Sequence, residues 1–106
     1  MWLDLNKLRS LASQGKIIWK RHALERILER ELSRAIVLQV IADGELIEDY
    51  SEDCPLPSGL LLGWDGKRPV HVVVTLDSDE ELVAVITAYE PATEHFEPDF
   101  RTRRKE

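Results

Sequence analysis

Two valine-rich runs, PVHVVVTL at 69–76 and ELVAVITAY at 81–89, constrain the fold more than any other feature of this chain. Both are dense in β-branched residues, are too short for ordinary helices, and are separated only by acidic turn residues, so they form neighbouring antiparallel strands. A three-residue loop, Asp77-Ser78-Asp79, pairs Val74 with Leu82, Val72 with Ala84 and His71 with Val85. One face then carries Val70, Val72, Val74 and Leu76, and the other carries His71, Val73 and Thr75 with Thr87 and Tyr89 opposite. Upstream, LLLGW is a further strand that Asp65-Gly66 turns into the first valine run, and ELIEDY is a weaker one. Between them SEDCPLPSG holds two prolines and a glycine and reads as loop.

Before Gly44 the period is helical. Asp4 or Asn6 can cap a first helix whose Leu5, Leu8, Leu11 and Ala12 recur at three to four residues until Gly15. KRHALERILERE at 20–31 is strong helix-forming sequence, with Leu24, Ile27 and Leu28 as its buried stripe and His22, Arg26 and Arg30 on the other side. Ser33 is a natural N-cap for a third helix that ends at Asp43-Gly44. The expected fold is therefore α+β, with N-terminal helices packed on a single twisted, mainly antiparallel four-stranded sheet. At 106 residues the chain is one domain, and 91–106 reads as a polar, partly flexible C-terminal tail.

Composition narrows the function classes. With 43% hydrophobic and 32% charged residues the chain can build a small core, which excludes disorder throughout. No stretch reaches the ~18 apolar residues of a membrane span, and the N-terminus lacks the plan of a signal peptide, so a cytoplasmic location is expected. Cys54 is the single cysteine, which rules out an internal disulfide and leaves a cysteine-rich zinc site dependent on a second chain. The net charge of -6 argues against a general DNA-coating protein. Its distribution is uneven: the first 34 residues and the last six are basic, and everything between is acidic. An anionic ligand is thus expected near Lys20 and Arg21 or near Arg101, Arg103 and Arg104.

His22, Arg26 and Arg30 stand at i, i+4 and i+8, which stacks them along one helix face within roughly 12 Å. Two guanidiniums with an imidazole suit a phosphate: Arg supplies a permanent planar fork of donors, and His exchanges a proton near neutral pH. The plainer reading is a solvated face on which Glu25 and Glu29 pair with the arginines. His71, set among valines, needs a polar partner or stays neutral at a desolvation cost, and Tyr89 can bring a phenol toward it. Metal-free cleavage of RNA needs a base for the 2′-hydroxyl, an acid for the leaving oxygen and cations on the phosphate, a set these residues can supply. His95 receives no role, and Cys54 before a proline is a poor candidate for a catalytic thiol. Asp77, Asp79, Glu80 and Glu81 read as solubilising turn residues. No H-x-x-x-H, glycine-rich phosphate loop or serine elbow is present, and no cofactor or metal is expected. FRTRRK joins a stacking aromatic to a basic patch, as nucleic-acid binders do.

Three blocks, KRHALERILERELS, PSGLLLGWDGKRPVHVVV and VITAYEP, occur in an order that resembles a small prokaryotic family catalogued as a domain of unknown function, over about 17–104. The resemblance implies a RelE/ParE-like fold similar to BrnT-type toxins, and a partner antitoxin of the zinc-finger or helix-turn-helix (YgiT or MqsA) kind. It also implies metal-independent endonucleolytic cleavage of mRNA, frequently at the ribosome. The family's polar positions fall on His22, Arg26, Arg30, Tyr50, His71 and Tyr89. Two other readings stay open: a catalytically silent protein-binding module of the same fold, and an enzyme for a small anionic substrate.

Overall fold

Asp4 accepts a hydrogen bond from Lys7 N at 3.1 Å and Ser33 accepts one from Ile36 N at 3.1 Å, so both helices expected to begin with a capping side chain do so. The structure, a computed structural model, describes residues 3–50, 55–92 and 96–103. Its helices are α1 (Leu5–Ser13), α2 (Arg21–Glu29) and α3 (Arg34–Asp43). Its strands are β1 (Ile17–Trp19), β2 (Glu45–Asp49), β3 (Ser58–Asp65), β4 (Arg68–Asp77) and β5 (Leu82–Tyr89). The class is α+β as expected, but the sheet has five strands rather than four, in the order β1-β5-β4-β3-β2. The extra strand, β1, makes the sheet mixed because it runs parallel to β5, with Ile18 opposite Ala84. Three residues between a turn and a helix are too few to show a period, and their partner lies far downstream, so no local signal marks them.

The β4–β5 register also differs from the expected one. The connection spans residues 78–81, with Glu81 in the left-handed region (φ 54), and Asp77 faces Leu82 while Val74 faces Val85. A bulge at Ile86 then changes the parity, so that Thr87 faces Val73 and Tyr89 faces His71. The physical reason is burial. A regular alternation would put either Val83 and Val85 or Ala88 on the wrong side, whereas one extra residue turns all three into the core and leaves Ile86 39% exposed.

α1 and α3 cover the core face of the sheet, where Leu8, Leu11, Val37 and Ile41 meet Leu61, Val72 and Val74. Gly63 lets α3 approach: a Cβ there would lie 2.5 Å from Val40 Cγ2. α2 packs on β5, and of its expected stripe only Ile27 is fully buried; Leu24 is half-buried and Leu28 is 55% exposed. A single strand is too narrow to cover three positions of a helix. On the opposite, outer face, Leu60, Leu62, His71 and Phe96 are buried apart from the main core.

α1 and α2 end in the same way. After α1, Gly15 N–H and Lys16 N–H donate to Ala12 O and Leu11 O; after α2, Glu31 N–H and Leu32 N–H donate to Leu28 O and Ile27 O. Both turns need a left-handed residue, Gly15 at φ 80 and Glu31 at φ 61. Only glycine adopts it without strain, so Glu31→Gly is expected to stabilise the protein by about 1 kcal/mol. Urea unfolding of Glu31→Gly beside Gly15→Ala, which should lose a similar amount, checks this.

Candidate functional site

The outer sheet face has a covered end and an open end. At the covered end, residues 96–103 lie across β2, β3 and β4. Phe96 is 3% exposed and its ring meets His71 edge-on at 4.6 Å. Phe100 packs edge-on against Trp64 at 6.1 Å. Asp99 shapes the intervening turn by accepting from Arg101 N, Thr102 N and Thr102 Oγ1, each at 2.9 Å. Two tail arginines, expected as cations for a ligand, pair instead with β2. Arg101 makes a bidentate pair with Glu45 and Arg103 another with Glu48, the latter at 2.8 and 3.1 Å. Arg104, the third, lies outside the described residues, as do Cys54 and His95.

His71 is fully buried in this arrangement, and its Nε2 lies 2.7 Å from Phe100 O. A carbonyl oxygen only accepts, so Nε2 carries the proton and donates, leaving Nδ1 with its lone pair. Nδ1 has no hydrogen-bond partner among the described residues. Burial outweighs the Phe100 carbonyl and pushes the imidazole pKa below its usual value, so His71 is neutral at physiological pH. Tyr89 stands beside it, ring centroids 5.5 Å apart, and burial raises the pKa of its phenol. Tyr50, from the end of β2, donates to the Glu48 carboxylate; burial and that bond push its pKa up to about 12. Both phenols are protonated donors.

At the open end the polar row of α2 runs beside β5. α2 begins at Lys20 without a side-chain cap. Lys20, Arg21, His22 and Arg26 line a cavity of about 370 Å³ floored by Ile86 and Thr87. His22 is almost fully exposed, with Nδ1 3.7 Å from Glu25, and Arg21 donates to the same carboxylate at 3.1 Å. Lys20 and Arg26 have no side-chain hydrogen bond or ion pair among the described residues. Arg30 lies at the C-cap of α2 and donates to Thr87 Oγ1 at 3.1 Å and Ala88 O at 2.9 Å. The structure thus brings Arg30, Thr87, Tyr89 and His71 to one region. It places His22 and Arg26 one step along, joined to the others through Thr87.

A family model described as Domain of unknown function (DUF4258) matches residues 19–90, well over half of the chain. The chain belongs to the DUF4258 family. The DUF4258 region contains α2, the whole antiparallel part of the sheet and every candidate residue except the tail arginines; α1 and residues 96–103 fall outside it. Neither the curated proteins nor the solved structures contain a match to the chain. Among the described residues no helix is long and apolar enough to cross a membrane, and no three His, Cys, Asp or Glu side chains form a set for a metal ion.

Within the DUF4258 region Arg68 escaped the sequence reading. It donates to Arg30 O at 2.7 Å and Glu31 O at 3.0 Å and pairs with Glu90 at 2.7 Å, tying the C-terminus of α2 to β4. Glu48 and Phe96 were likewise unmarked. A charged residue at a strand end and an aromatic in a polar tail give no local signal; only their distant partners define them.

Proposed function

We propose that this DUF4258 protein is a toxin-type, metal-independent endoribonuclease with a RelE/BrnT-like fold, acting on RNA in the cytoplasm, at the ribosome, and held in check by a zinc-finger or helix-turn-helix antitoxin. The observation that supports it most is the exposed row of α2, where His22 and Arg26 face a cavity whose floor, Thr87, is also the residue that Arg30 grips. In this reading Arg26 holds the scissile phosphate and stabilises the charge that develops on it, with Lys20 and Arg21 on the neighbouring phosphate. His22, open to solvent, moves the proton between the 2′-hydroxyl and the 5′-leaving oxygen. His71, whose Nδ1 has no partner among the described residues, takes that part when residues 96–103 are lifted, and Tyr89 orients it. Arg30 positions the strand on which Thr87 and Tyr89 sit.

His22 and Arg26 are exposed, so alanine at either leaves the fold intact. Each substitution is expected to lower RNA cleavage by about 100-fold or more and to relieve growth inhibition on expression. Full activity of both variants in a cleavage assay, with and without ribosomes, refutes the proposal. One observation favours a second reading, a silent binding module: His71 has no path to solvent beneath Phe96 and Phe100. Harmless expression and uncut RNA, together with stable capture of the neighbouring gene's product, support that alternative.

A further inference from the structure

The cationic cavity does not end at Ile86. A second cavity of about 330 Å³ adjoins it, lined by Lys20, Tyr50, Leu56, Val73, Thr75 and Ile86 among others, so Lys20 and Ile86 border both. Its character is different. Val73 and Ile86 form a floor, Leu56 is 38% exposed at the wall, and Tyr50 closes one side. The β5 bulge is what raises Ile86 between the two halves. Two adjoining compartments result, one presenting ammonium, guanidinium and imidazole, the other presenting mostly aliphatic surface with the Tyr50 phenol and the Ser58 and Thr75 hydroxyls. Cavities of roughly 300 Å³ and above are the size that holds small organic ligands.

We infer that the open end of the outer sheet face binds a nucleoside phosphate, the phosphate on Lys20, Arg26 and His22 and the base in the apolar compartment over Ile86 and Val73, against Tyr50 and Leu56. The ligand class follows from the two compartments together. An inorganic anion leaves the apolar half empty, and an uncharged ring leaves unused two cations that have no partner among the described residues. Lys20 and Arg26 supply charge-assisted hydrogen bonds to phosphate oxygens. Aliphatic and aromatic side chains hold a base by its flat faces. The hydroxyls that border the base are largely committed, Tyr50 to Glu48 and Ser58 to Leu56 O. The base is therefore held mainly by its faces, with the Thr75 hydroxyl left to meet an edge, and purines and pyrimidines bind comparably. This inference rests on the reading of α2 as a phosphate-binding face, and it does not require cleavage.

Titration of the full-length ¹⁵N-labelled chain with AMP, UMP, uridine and inorganic phosphate tests it. AMP and UMP should shift the amide signals of Lys20, Arg26, Val73 and Ile86 in one saturable process, with uridine and phosphate each binding at least about tenfold more weakly. Lys20→Gln and Ile86→Gln are both at exposed positions and retain the fold; each should weaken UMP by about tenfold. Phosphate alone binding as tightly as UMP, or UMP moving none of these signals, overturns the inference. Nucleotide binding by a chain that cuts no RNA upholds this site and removes the ribonuclease. Cleavage by a chain whose two compartments ignore nucleotides does the reverse.

Discussion

Phe96→Ala is expected to lower the unfolding free energy by about 3 kcal/mol and to return His71 to titration near neutral pH. Phe96 is the apolar anchor of residues 96–103, buried against the His71 ring with the Arg103 guanidinium over its other side at 4.9 Å. The other ties include the Phe100 carbonyl on His71, the edge-on packing of Phe100 on Trp64 and two ion pairs on β2, of which Arg101–Glu45 is half exposed and worth little alone. Without the ring, water reaches the imidazole and the desolvation that depresses its pKa is relieved.

The consequence for stability has a definite sign. In the wild type the unfolded chain takes up a proton on His71 near pH 6.5, while the folded protein does so only at lower pH. Unfolding therefore binds a proton in that window, and the stability contributed by neutral His71 is present above pH 6.5 and lost as pH falls through the depressed folded pKa. In Phe96→Ala the two pKa values converge and this acid loss flattens. NMR titration of the His71 ring, with urea midpoints at about pH 7.5 and pH 5.5, measures both effects. A ring that still titrates well below 6.5 in the variant shows that Phe96 does not keep water from His71.

Ile27→Ala is the other large effect, with an expected loss of about 2–5 kcal/mol. Ile27 is the fully buried residue of α2, and α2 is the element that carries Lys20, His22, Arg26 and Arg30 to the edge of β5. Against a total of about 5–15 kcal/mol for a domain of this size, that loss is a large share of the stability. Leu28→Ala, one residue away but 55% exposed, should stay within about 0.5 kcal/mol of wild type. Urea unfolding of the pair separates anchoring from helix propensity, since both changes introduce alanine into the same helix. Equal losses in both variants contradict the packing of α2 on Ile27. Nucleotide shifts at Arg26 should weaken in Ile27→Ala even where the chain remains folded, because the row of cations is then no longer held over Thr87.

How far the residues could be read in advance depended on how local their cause is. The caps at Asp4 and Ser33, the stop at Gly15 and the turn at Asp65-Gly66 involve atoms a few residues apart, and each was legible. So was the pairing of the two valine runs, though not its register. A valine-rich strand offers apolar side chains on both faces, so several alignments satisfy the pattern until the core and the bulge at Ile86 choose one. The shared face of His71, Thr87 and Tyr89 was right, yet it arises through that bulge rather than through the uninterrupted alternation first inferred.

Local chemistry alone specified the α+β class of this protein and set His22, Arg26 and Arg30 along one helix. Packing in three dimensions settled the rest: the parallel strand β1, the clasp of Arg68 on the end of α2, and the burial of a neutral His71 beneath residues 96–103. The reason is range. Caps, turns and periodicity draw on neighbours along the chain, whereas register, burial and ion pairing depend on partners that sequence distance hides until the chain has folded.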